Sequence, residues 1–171
     1  MDDGVYWPVN GEGWKVTVST RLKSYLDEKG VDYQVFYHQR VYTAQEVAAA
    51  QHVSGRELAK VVMVRVDNEL VMMVLPASSV VDMDRVRSLL PGKGMKLAQE
   101  EEFQGLFPDC EIGAMPPLGN LYDLDVYVDA ALAEQPHIVF QAGSHVETIR
   151  MAYKDFANLV QPQVADFATH R

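Results

Sequence analysis

Apolar residues recur at regular intervals from Ser19 onward. Ser19 is placed to cap a helix over about residues 20–29, with Leu22, Tyr25 and Leu26 on one face and Gly30 as the stop. Residues 31–37 then alternate as a strand, Val31, Tyr33, Val35 and Tyr37 sharing a side. Thr43-Ala44-Gln45-Glu46 has the capping-box pattern, so the Ala-rich segment to about Gln51 reads as a helix. Ser54-Gly55-Arg56-Glu57 repeats that pattern and predicts a short turn delivering the chain to Lys60. Segments 60–66 and 70–75 are β-branched and Met-rich and are joined by Asp67-Asn68-Glu69, which predicts a hairpin of central strands buried on both faces.

Asp82 caps a predicted helix that Pro91-Gly92 ends near Leu90, and residues 99–106 predict another short helix. Strands follow at 124–128, 137–141 and 146–151, with Asp129 capping a helical turn after the first and a closing helix at 153–160. Strands and helices interleave without regular βαβ repetition. This predicts an α/β fold with a mixed sheet or partly closed barrel and helices packed outside.

Residues 1–18, with Trp7, Pro8, Gly11, Gly13 and Trp14, carry no lasting period and read as an N-terminal extension; residues 19–171 read as one domain. The 171 residues are 48% hydrophobic and 23% charged, values of an ordered globular chain. No basic region followed by an apolar core opens the chain, and the apolar run at 70–75 is far too short for a bilayer, so the expectation is a cytoplasmic protein without a membrane partner. The only cysteine, Cys110, excludes an internal disulfide. Asp109 and Glu111 beside it would raise its thiol pKa, so it reads as a small buried hydrophobe.

A net charge of −9 argues against gripping long nucleic acid through phosphates, though not against holding an end. The local basic set Arg85, Arg87, Lys93 and Lys96 is usually just a solvated face. A G-x-S-x-G elbow, a P-loop and a dinucleotide fingerprint are absent, and the five histidines show no H-x-x-x-H spacing. Neither a metal nor a cofactor is expected.

Three features remain. Gly113-Ala114-Met115-Pro116-Pro117-Leu118-Gly119 is uncharged and stiff, suited to offering backbone amides to a ligand. Lys60 leaves an apolar strand edge, and Gly143-Ser144-His145 places an imidazole beside a glycine. Each has a plain structural alternative: a rigid connection, a snorkelling lysine, a hydrogen-bonded core histidine. Together they suit a substrate that is already reactive, such as an activated ester, which the protein orients while stabilising developing negative charge.

With those residues in view, the chain resembles the YbaK/EbsC family, freestanding relatives of the editing domain inserted in bacterial prolyl-tRNA synthetases. The resemblance spans about residues 20–160. It rests on His38 with Thr43-Ala44, Lys60 opening the central strand, Gly113 to Pro117 as a GxxxP loop, and Gly143-Ser144-His145 as a G-x-H element. It implies hydrolysis of the ester joining a wrong amino acid to the 3′ end of a tRNA, most often tRNA for proline, acting in trans without a protein nucleophile. It further implies Lys60, Gly113 and His145 as catalytic positions, and Thr43, Ala44, Ala114, Met115, Pro116, Pro117, Gly143 and Ser144 as substrate-binding ones. Mischarged tRNA is the implied partner, with a synthetase as a second candidate, and the basic set at 85–96 as a resting place for the acceptor stem. The alternative from another class is a module that binds tRNA ends or a synthetase without turnover.

Overall fold

The computed structural model describes residues 18–170, so the expected extension lies, but for Val18, outside the described residues. Helix α1 (Val18–Glu28) begins one residue before Ser19, which therefore sits in its first turn; any cap lies outside the described residues. Leu22 and Leu26 are fully buried, and the Gly30 and Val31 amides close the helix by donating to Asp27 and Leu26 carbonyls. Strand β1 (Tyr33–Tyr37) is two residues shorter than expected, because Val31 is spent on that closure. Val31, Tyr33 and Val35 pack on the main core as expected, whereas Tyr37 is exposed, with the Lys23 ammonium over its ring.

Helix α2 (Ala44–Gln51) carries the predicted capping box in full: Thr43 Oγ1 accepts from the Glu46 amide, and the Glu46 carboxylate accepts from the Thr43 amide. Ser54 to Glu57 form a turn rather than a helix, and the chain enters β2 (Ala59–Val66), which pairs antiparallel with β3 (Glu69–Pro76) through a turn at Asp67-Asn68. β4 (Ser79–Val81) precedes α3 (Met83–Leu89), capped by Asp82 as predicted, and β5 (Met95–Leu97) precedes α4 (Glu100–Phe103), whose chain continues into a 3-10 turn. β6 (Asp125–Asp129) leads into the Asp129-capped α5 (Ala130–Ala133). β7 (His137–Gln141), β8 (Glu147–Ala152), α6 (Tyr153–Val160), β9 (Gln163–Ala165) and β10 (Ala168–His170) complete the order.

The strands form a five-stranded sheet β5-β2-β3-β6-β9, a three-stranded antiparallel sheet β1-β8-β7 and a β4-β10 pair. The large sheet is mixed: β5, β2 and β3 run antiparallel, while β6 and β9 join in parallel. It meets the smaller sheet at a Leu58–Val139 bridge, and the two do not close into a barrel. β3 is buried on both faces as predicted, Met72 and Val74 pointing into one core and Val71, Met73 and Leu75 into another. β2 is only half buried, since β5 covers its outer edge no further than Val64 to Val66. That uncovered stretch positions the site. No helix among the described residues is long and apolar enough to cross a membrane.

Candidate active site

Where β5 leaves the β2 edge open, a cavity of about 170 Å³ is lined by Tyr42, Ala44, Leu58, Ala59, Lys60, Val61, Gly113, Met115 and Gln141. Its walls come from four places in the chain. The α2 capping box supplies the first, for the Glu46 carboxylate also accepts the Tyr42 amide, tying Tyr42 and Ala44 to the helix start. These donors, the Thr43 amide and hydroxyl foremost, hold the Glu46 carboxyl below its usual range. Lys60, the second residue of β2, supplies the cation on the strand wall.

Another wall is the Gly-Pro loop, through Gly113 and Met115. Residues 114–119 are buried, while Gly113 at the corner and Ile112 before it are exposed. Gly113 has φ +82°, which a side chain would strain, and Gly143 across from it has φ +91°. Two hydrogen bonds lace the turns together, Glu111 amide to Gly143 carbonyl at 2.8 Å and Gly143 amide to Ala114 carbonyl at 2.9 Å, while Ala114 amide to Glu111 carbonyl at 3.1 Å closes the first turn on itself. The amides of the two cavity-lining residues, Gly113 and Met115, donate to none of the described residues.

His145 lies behind this wall and is 6% exposed. Its Nε2 is 2.8 Å from the Ile112 carbonyl, which can only accept, so Nε2 carries the proton and Nδ1 is left buried with no partner among the described residues. The imidazole also stacks obliquely on the cavity-lining Tyr42, with ring centroids 4.9 Å apart. Glu111 braces the corner by accepting the His145 amide at 2.8 Å and the Arg40 guanidinium at 3.0 Å. Burial would raise the Glu111 carboxyl, but these donors outweigh it and hold it below its ordinary value.

Of the positions singled out in the sequence, Lys60, Ala44, Gly113 and Met115 meet at the cavity. Thr43 caps α2, whereas Ala114, Pro116 and Pro117 are buried within the loop. Gly143 is bonded to that loop, the Ser144 hydroxyl is 3.5 Å from the Val146 amide, and His145 backs the corner. Sequence reasoning missed Tyr42 and Gln141, and it missed the Arg40–Glu111 pair, whose members lie 71 residues apart. Cys110 lies apart, half-buried beside the Tyr122 hydroxyl at 3.5 Å; burial, with Asp109 adding to it, pushes its thiol up to about 11. No group of three or more potential metal ligands occurs among the described residues. In the basic set, Arg85 pairs with Asp82 and Asp166, Arg87 with Asp84 and Lys96 with Glu102.

One small cavity thus gathers a lysine, a glycine corner and a stretch of stiff loop, a lining of the class that serves a small polar substrate. Residues 38–159 match the aminoacyl-tRNA editing domain family, and the chain belongs to it. Editing is hydrolysis of the aminoacyl ester, so the protein is an aminoacyl-tRNA deacylase. It is 26% identical over 152 residues to the multifunctional Ser/Thr-tRNA deacylase ProXp-y of Escherichia coli (strain K12), covering 86% of this chain and 90% of that protein. It is 27% identical over 116 residues to the proline–tRNA ligase of Bacillus mycoides (strain KBAB4), covering 68% of this chain but 20% of the ligase. In fold it is similar to a crystal structure of a candidate trans-editing enzyme for prolyl tRNA synthetase, with TM-score 0.76, 22% identity, and 89% and 97% of the two chains covered. The hypothetical protein APE2540 is alike to the same degree, with TM-score 0.77, 21% identity, and 87% and 99% covered.

Proposed function

We propose that this protein acts in trans, removing wrong amino acids from tRNA, with tRNA for proline as the principal carrier. The observation that carries the reading is the cavity itself, whose lining includes Lys60, Gly113 and Met115. The similarity to one segment of the proline ligases supports the choice of carrier.

In this reading the terminal nucleotide enters with its phosphate on Lys60, and the ester carbonyl rests against the Gly113 corner. Water attacks the carbonyl carbon, activated by the neighbouring ribose hydroxyl of the substrate. The amides of Gly113 and Met115 take the charge that develops on the carbonyl oxygen; the C–O bond to the ribose then breaks, the departing ribose oxygen taking up the proton that water gave to the neighbouring hydroxyl, and the amino acid leaves as its free carboxylate. Amides already held in place need no reorganisation as that charge appears, which is why such donors lower the barrier. His145 holds the corner through Ile112 and packs on Tyr42, shaping the aminoacyl pocket. Thr43, Ala44, Ala114, Pro116, Pro117, Gly143 and Ser144 hold the surrounding backbone in place.

A synthetase pocket rejects amino acids of similar size by only a few kcal/mol, so a second pocket that admits the error and excludes the correct product restores fidelity. Holding only a single-stranded end requires few phosphate contacts, which reconciles an RNA substrate with a net charge of −9. The test is ester loss from a panel of mischarged tRNAs. The expected result is turnover of at least one small aminoacyl species, with Lys60→Ala lowering kcat/KM about tenfold to hundredfold, mainly through KM, as for a lost charge-assisted hydrogen bond. No turnover of any species, or binding without hydrolysis, overturns the reading.

A further inference from the structure

Gln141 ends β7 on the cavity wall, yet its Oε1 is buried and meets no hydrogen-bond partner among the described residues. Directly across the β7–β8 ladder stands Thr148, fully buried, whose Oγ1 also has no partner among them. Opposed residues of an antiparallel pair share a face with Cβ atoms about 5 Å apart. Phe140 and Ile149 of the preceding pair point into the main core, so Gln141 and Thr148 face the other way, the side on which Val139 packs with Val47 of α2, and Gln141 reaches the cavity wall. Two adjacent buried polar groups left unmatched are costly, and such sites call for an explanation.

We infer that Gln141, backed by Thr148, reads a side-chain hydroxyl on the amino acid of the substrate. This rests on the deacylase reading of the same cavity. The terminal torsion of glutamine is soft and two-fold, so either amide atom can turn to the cavity. A hydroxyl is donor and acceptor at once and matches both orientations, whereas an ammonium matches only the oxygen. As the outer amide atom engages the substrate, a turn of the amide closes the inner one on the Thr148 hydroxyl, a bond that neither makes in the structure as it stands. The cavity of about 170 Å³ has the size for one small aminoacyl group. An alanyl ester would enter it but leave both polar groups unmatched.

The experiment compares the wild type, Gln141→Met and Thr148→Val on the same tRNA charged with serine or with alanine. The serine-to-alanine ratio of kcat/KM is the readout, because any unfolded fraction cancels from it. Gln141→Met is expected to lower the ratio about tenfold, the loss of one neutral hydrogen bond, and Thr148→Val to lower it in the same direction by less. Equal loss on both substrates overturns the inference, because Gln141 would then hold a part common to all esters. An unchanged ratio in both variants also overturns it, meaning that the pair is matched by water alone. A wild type that hydrolyses no mischarged tRNA sinks the deacylase reading itself, a result visible before either variant is made.

Discussion

At the scale of single residues, Gly113 carries a demand that no other amino acid meets cheaply. A Cβ added there would lie 3.7 Å from His145 Cε1, an ordinary contact, so space is not the obstacle. The obstacle is φ +82°, which strains an L-residue by roughly 1–3 kcal/mol and would shift the corner to relieve it. Gly113→Ala is therefore expected to fold but to lose about tenfold or more in kcat, since small displacements of positioned donors are expensive. Steady-state kinetics beside a thermal melt separates the two effects. A second residue-scale effect lies at Glu111. Its carboxyl is held below the usual 4.5, so its stabilisation is complete above the unfolded value and is lost as pH falls through the lower folded one. Melts from about pH 7 to about pH 3 should show a flatter acid limb in Glu111→Gln than in the wild type, with lower stability at neutral pH.

At the scale of elements, the helices are pinned by a few apolar side chains. α1 has no acidic residue in its first turn and no basic one in its last, so its stability comes from burying Leu22 and Leu26 in the main core. Leu26→Ala should cost about 2–5 kcal/mol, read from denaturant midpoints. This is also the scale at which the sequence was most readable. The Thr43–Glu46 box, the Asp82 and Asp129 caps and the Asp67-Asn68 turn are local chemistry, written within four residues, and each stands where its pattern places it. β4, β5, β9 and β10 were not readable, because three residues are too few to establish a period and the pairing partner supplies the reason for the strand. The site divides the same way. Lys60 and Gly113 could be picked out by residue type and setting, whereas Gln141 looks like any strand end until β8 places Thr148 opposite it. Arg40 and Glu111 gave no signal, since only the folded chain brings them together.

At the scale of the whole molecule, β3 separates two cores, and the cavity opens on one edge of the large sheet beyond the reach of β5. The corner beside that opening is continuous with the buried run 114–119, of which Met115 and Leu118 belong to the main core. A flap must swing through solvent, and this segment has no solvent in which to swing. Turnover should thus involve no gating by this segment, and kcat measured in rising sucrose should stay flat, unlike that of an enzyme paced by a closing lid. An editor whose corner is set this way has no moving part in that loop: a tRNA end that reaches it meets donors already in position.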